Sequence, residues 1–217
     1  MVAEFGALAA LWRLVERLNL VGIGDRAVPK RHQGVSIGHF LVLAALNRVV
    51  APRAKPKWGA WSEKTWLRRG DSPGAAFSSA VFWRAMDAVD TDALEMIETA
   101  FAVATVQHFG VHVQTVAYDA TNFFTYLPTP TSSTLAHCGH TKPKRNDLRP
   151  LNLALLTTVE DHLPLLHTTY AGHVPDPTTF GDALDRLHTH LSQMAALAGD
   201  RITVVFDKGN VSHANMA

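Results

Sequence analysis

The sequence predicts a chain of α+β/α/β class: an all-helical first half, then a mixed sheet built in the order β-β-β-α-β. Three observations predict it. Through residue 110, apolar residues recur at helical spacing between capping and turn residues. Past that point the period changes to that of strands, with β-prone runs bounded by turn residues. Two of those runs stop on a carboxylate: Val113 to Tyr118 ends on Asp119, and Ile202 to Phe206 ends on Asp207.

Residues 4–20 read as an amphipathic helix, with Phe5, Leu8, Trp12, Val15 and Leu18 on one face and Arg13, Glu16 and Arg17 opposite. Residues 21–35 hold three Gly, one Pro and the basic group Lys30-Arg31-His32, and read as a loop. Ser36 caps a helix to about Val50, stopped by Pro52. Residues 51–60, with Arg53, Lys55, Lys57 and two prolines, read as an exposed basic connector. Trp58, Trp61 and Trp66 interleave with Lys64, Arg68 and Arg69, which suits either a nucleic-acid groove or core anchors with solvated neighbours. Asp71-Ser72-Pro73-Gly74 is a turn, and a helix follows over about 76–89. Asp92 with Glu95 suggests a capping box for a helix to about His108, closed by Gly110.

After the strand over 113–119, residues 120–150 read as irregular, with four prolines and the basic group Lys142, Lys144, Arg145 and Arg149. Leu151–Val159 and Leu163–Tyr170 form a hairpin about Glu160-Asp161-His162. Asp176-Pro177 opens a helix with the stripe Phe180, Ala183, Leu184, Leu187, Leu191 and Met194, ended by Gly199. The fourth strand, 202–206, delivers Asp207. This order matches the first half of a ribonuclease-H-like fold, a partial mixed sheet in which the first and fourth strands are parallel neighbours. Both aspartates then sit at one edge of the sheet. Such a pair can hold divalent cations for phosphodiester chemistry, or the two are ordinary strand-end or capping aspartates.

Composition bounds the rest. Of 217 residues 47% are apolar and 18% charged, which describes a globular chain with a core. The one cysteine, Cys138, excludes an internal disulfide and fits a reducing compartment. No apolar run is long enough for a membrane span and no export signal opens the chain, so a cytoplasmic location is expected. Charge is unevenly distributed. Residues 1–70 carry twelve Lys/Arg and four Asp/Glu, net +8; residues 71–217 carry eight and fifteen, net −7, giving the overall +1. A basic part joined to an acidic part suggests polyanion binding beside a collection of carboxylates. The group His137-Cys138-Gly139-His140 crowds its donors into one loop with no second pair, which argues against zinc.

Several segments together resemble bacterial insertion-sequence transposases of the DDE type, in the insertion-sequence-four superfamily. They are Leu11-Trp12-Arg13-Leu14, Leu43 to Arg48, Phe82 to Asp87, Tyr118-Asp119-Ala120-Thr121-Asn122-Phe123-Phe124, Gly139 to Leu148, and Val205-Phe206-Asp207-Lys208-Gly209-Asn210. The resemblance implies that Asp119 and Asp207 are the first two catalytic acids and hold two Mg²⁺ or Mn²⁺ ions. It implies that residues 1–110 help bind DNA at transposon terminal inverted repeats and that residues 111–217 form the catalytic part. Lys142, Lys144, Arg145 and Arg149, with Lys30, Arg31, Arg53, Lys55 and Lys57, are then candidates for DNA contact. A homodimer, or contact with a full-length transposase, and association with the nucleoid follow from the same resemblance. It also calls for a third acid, a Glu on a later helix. No Glu follows Glu160 in this sequence, so a truncated copy without activity by itself is expected.

Two other readings use the same residues. One is a DNA-binding protein derived from a transposase and without catalysis. The other is a phosphohydrolase with Asp119 as nucleophile, which wants an acid at position 121, where Thr stands.

Overall fold

Helix caps and close backbone approaches set the helical half. The structure is a computed structural model that describes residues 5–28, 34–69, 78–127, 132–137, 148–193 and 202–207. It divides into two units, Met1–Thr105 and Val106–Ala217.

In the first unit, α1 (Gly6–Arg17) and α2 (Leu20–Ala27) meet at Asn19, which takes the left-handed conformation at φ 51°. Asn enters that region more readily than most side chains. The helix α2 replaces the first part of the loop expected over 21–35, whose residues 29–33 lie outside the described residues. Gly24 is used for close packing, whereas Gly34, at φ 92°, keeps a turn conformation. A Cβ on Gly24 would lie 2.6 Å from the Gly38 Cα, and one on Gly38 would strike the Val21 carbonyl. The helix α3 (Ile37–Val50) therefore crosses α2 with backbones nearly touching. Asp25 Oδ1 accepts from the Gly38 N–H at 2.8 Å at the same crossing. Ser36 caps α3 as expected, accepting from the His39 N–H.

The expected connector over 51–60 is also more ordered than its prolines suggest. A 3-10 turn, Lys55–Lys57, leads into α4 (Trp58–Glu63), and a second, Trp66–Arg69, follows. Trp58 and Trp61 are buried with Leu8, Phe40, Leu43 and Phe82. Burying such aromatic rings supplies much of a small core's stability, so these tryptophans are core anchors. The helix α5 (Ser79–Met86) is capped by Ser78. The helix α6 (Thr91–Phe109) is capped by Asp90, which accepts from the Ala93 N–H at 2.8 Å, two residues ahead of the expected cap. Gly110, at φ 62°, closes it as expected.

The second unit holds a four-stranded sheet in the order β3-β2-β1-β4. Its strands are β1 (Thr115–Thr125), β2 (Arg149–Thr158), β3 (Pro164–Ala171) and β4 (Thr203–Phe206). The β1–β2 and β2–β3 pairs are antiparallel, and β4 lies parallel to β1 after the helix α7 (Asp176–Gln193). This is the mixed sheet of a partial ribonuclease-H-like fold. One strand runs further than expected: β1 continues six residues past Asp119. Residues 120–125, read as irregular, are β-prone and find a partner in residues 149–154 of β2.

Side chains alternate across the sheet. Val116, Tyr118 and Ala120 of β1 and Ala154, Leu156 and Thr158 of β2 are buried on one face. Phe180 of α7, fully buried, packs against that face, with Leu184 beside the same core. The side chains of Ala183, Leu187 and Leu191, together with Met194 and Gly199, lie outside the described residues, as does the turn at 71–74. On the same face Asn122 donates to Asn152 Oδ1 at 2.6 Å, and Asn152 donates to the Val174 carbonyl at 3.1 Å. Asn152 is 3% exposed. Slipping the β1–β2 register by one residue would turn one of these amides to the other face and leave its partner buried and unpaired, at about 1–3 kcal/mol for the lost bond.

All five tryptophans (12, 58, 61, 66 and 83) fall in the first unit, so their fluorescence reports on it alone. We expect Gly38→Ala to destabilise that unit by about 1–3 kcal/mol, because its methyl meets backbone that cannot yield. That outcome opposes the roughly 1 kcal/mol that Ala gains over Gly in an open helix. Urea unfolding followed by tryptophan emission measures it; a stabilised variant would show that the crossing is looser than described.

Candidate functional site

The two aspartates belong to neighbouring strands, and the sheet register decides where they meet. Parallel pairing matches Thr115 with Thr203, Val116 with Val204, Ala117 with Val205 and Tyr118 with Phe206. One step further along both chains come Asp119 and Asp207. Adjacent strands are about 4.8 Å apart, so the two acids occupy side-by-side positions. Alternation puts them on the same face, opposite the one that α7 covers: Tyr118 is buried and Phe206 half-buried, while Asp119 and Asp207 are exposed.

Three aromatic rings hold this register. The Phe180 ring stands 5.1 Å from Tyr118, edge to face, and 4.5 Å from Phe206. Tyr118 and Phe206 are the residues immediately before the two acids. A helix side chain inserted between them thus pins both strands at the last paired position. This trio was not singled out in the sequence. The available signal was the repetition of an aromatic residue directly before each aspartate.

The electrostatics of the pair are one-sided. Asp119 Oδ1 accepts from the Ala120 N–H at 2.9 Å. Among the described residues neither acid forms an ion pair, and no group of three or more His, Cys, Asp or Glu side chains is assembled to hold a metal. Two like charges at adjacent positions repel. The donor set is a pair of hard carboxylate oxygens open to solvent, which suits a divalent cation such as magnesium or manganese over a soft metal.

The candidate DNA-contact residues are scattered. Lys30, Arg31, Lys142, Lys144 and Arg145 lie outside the described residues, as do Cys138 and His140. Arg149 opens β2, where its carbonyl accepts from the Thr125 hydroxyl at 2.8 Å. Lys55 turns its ammonium over rings of its own unit, 4.5 Å from the Trp83 centroid and 5.4 Å from Phe82. Arg53 and Lys57 are exposed and, with Lys64, border one cavity.

No protein-family model matches the sequence, and no curated protein does. Among solved structures the chain is similar to the Mos1 transposase paired-end complex with left transposon end. The likeness is slight: 11% identity and a TM-score of 0.33, over 86% of this chain. The chain spans 57% of that chain's length. No helix among the described residues is long and apolar enough to cross a membrane.

The aromatic lock has a measurable cost of removal. Phe180→Ala is expected to destabilise the second unit by about 3–5 kcal/mol, as for other buried Phe truncations. Hydrogen exchange of the β1 and β4 amides would rise while tryptophan emission from the first unit stays unchanged. Protected β4 amides in that variant would mean that the ring does not hold the strand.

Proposed function

We propose that Asp119 and Asp207 form part of a metal-dependent site for phosphodiester chemistry on DNA, in a chain related to the DDE transposases of the insertion-sequence-four superfamily. The observation that carries this reading is the side-by-side register of the two acids on an open sheet face. The Tyr118–Phe124 and Val205–Asn210 segments that resemble the family are the ones that flank them. The two carboxylates would supply oxygen ligands, and the repulsion between them favours taking up a cation. When bound, magnesium or manganese ions supply Lewis acidity to an attacking water or 3′-hydroxyl and to the leaving oxygen. Tyr118, Phe206 and Phe180 position the acids and touch no substrate. The basic first unit would contribute salt-sensitive contacts to phosphates of the transposon ends.

Two measurements follow. Mn²⁺ binding, read by electron paramagnetic resonance, is expected to weaken at least roughly tenfold in Asp119→Asn and in Asp207→Asn alike. Neither change should lower stability in metal-free buffer, since each removes a like-charge contact. Unchanged Mn²⁺ affinity in both variants would sink the metal site. Separately, the chain is expected to shift terminal-repeat DNA in a gel, with an affinity that falls as salt rises; no shift at low salt would sink the DNA reading.

A further inference from the structure

One cavity in the first unit gathers cationic side chains. It measures about 430 Å³ and opens beside α4, bounded by Arg53, Lys57, Lys64 and Trp61 among others. Among the described residues its charged lining is all cationic and no carboxylate borders it. Among the described residues none of the three cations has an ion-pair partner. Lys57 and Lys64 sit at the two ends of α4, and Arg53 comes from the segment before it.

That segment is fixed from below. Asn47, 2% exposed on α3, donates to the Ala51 carbonyl at 3.1 Å and accepts from the Arg53 N–H at 3.1 Å. The buried Trp58 indole N–H donates to the Arg53 carbonyl at 3.0 Å. Two buried polar side chains are thus spent on holding the backbone of one exposed arginine. Trp61, which contributes to the cavity wall, is 9% exposed, and its indole N–H has no acceptor among the described residues. A fixed backbone, three unpaired cations and a wall without acid describe a receptor for an oxyanion.

We propose that this cavity is a phosphate-binding pocket, with Arg53, Lys57 and Lys64 as its ligands. Arg presents a planar fork that matches two phosphate oxygens, and the two lysines add point charge from either side. The phosphate comes from a DNA backbone or from free phosphate in solution. The DNA source rests on the reading above that the chain handles DNA; the pocket itself does not depend on the two acids. In the sequence Lys64 belongs to the tryptophan-rich stretch that suits either a groove or core anchors, and was not carried into the set of DNA-contact candidates. Lys55 was, and it belongs elsewhere, over Phe82 and Trp83.

The test uses the full chain in EDTA, so that the acids play no part. A short random-sequence duplex and inorganic phosphate are the two probes. The variants are Arg53→Gln with Lys64→Gln, and as control Arg48→Gln, an exposed cation on α3 outside the cavity lining. Urea unfolding followed by tryptophan emission confirms that each folds. If the pocket takes a backbone phosphate, the double variant loses about tenfold in duplex affinity and its salt slope falls by about 1, while the control changes little. If it takes free phosphate, millimolar phosphate raises the melting temperature of the parent and the control but not of the double variant, and duplex affinity is unmoved. Equal losses in variant and control would reveal a diffuse basic surface and overturn the pocket. No response to either probe would overturn it as well. Failure of Mn²⁺ binding at Asp119 and Asp207 would leave both arms unaffected.

Discussion

One fully buried ring governs the geometry of the second unit. Phe180 lies between Tyr118 and Phe206, the last residues that β1 and β4 pair. Aromatic pairs of this kind contribute about 0.5–1.5 kcal/mol beyond the area they bury. Their more important effect here is positional. β4 is four residues long and forms few ladder bonds, so backbone pairing alone constrains its register weakly. A one-residue slip would carry Phe206 to the open face and turn Asp207 toward the apolar side under α7. The cost of burying an unpaired carboxylate forbids that arrangement. The aromatic residue and the acid after it thus specify the same register from opposite faces.

The antiparallel side is fixed by different chemistry. Asn122 and Asn152 face each other across β1 and β2, and the second amide reaches on to the turn after β3. Arg186 of α7 adds a tie to β3, donating to the His167 carbonyl at 3.1 Å and to the Thr168 hydroxyl at 2.6 Å. Apolar strands such as β2 pack adequately in more than one alignment, whereas paired amides tolerate only one. The central strand β1 is therefore located by a polar lock on one side and an aromatic lock on the other.

How much of this was readable in the residues depends on the kind of signal. The four strands, the hairpin and α7 follow from local periodicity and turn chemistry, and the order of elements then leaves few sheet topologies. The placement of Asp119 beside Asp207 follows from that topology. Glycine was the main source of error. Gly22 and Gly24 read as a loop because flexibility and close packing leave the same mark in a sequence. What separates the two cases is the partner Gly38, fourteen positions beyond Gly24 in the chain and next to it in space. The end of β1 was misplaced for a related reason: an acid inside a strand reads as its terminus unless the partner strand is known. The cap of α6 was displaced because Asp90 and Asp92 both suit the role, and only the Ala93 N–H decides between them. Lys64 was left between a groove and a solvated neighbour of core tryptophans because nothing local distinguishes a cavity-lining lysine from a solvated one.

The site and the fold also share a direction. In open sheets with parallel strands, ligands gather beyond the carboxyl ends of those strands, where pairing stops and the chain ends diverge. Here β1 and β4 are the parallel pair, and their pairing stops at Tyr118 and Phe206. The β1 strand continues, paired only to β2 among the described residues. Asp119 is consequently held by a ladder on one side and open on the other, while Asp207 has just left its strand. For the proposed cation site, such a pair would combine a carboxylate fixed by its ladder with one set just beyond the last paired residue.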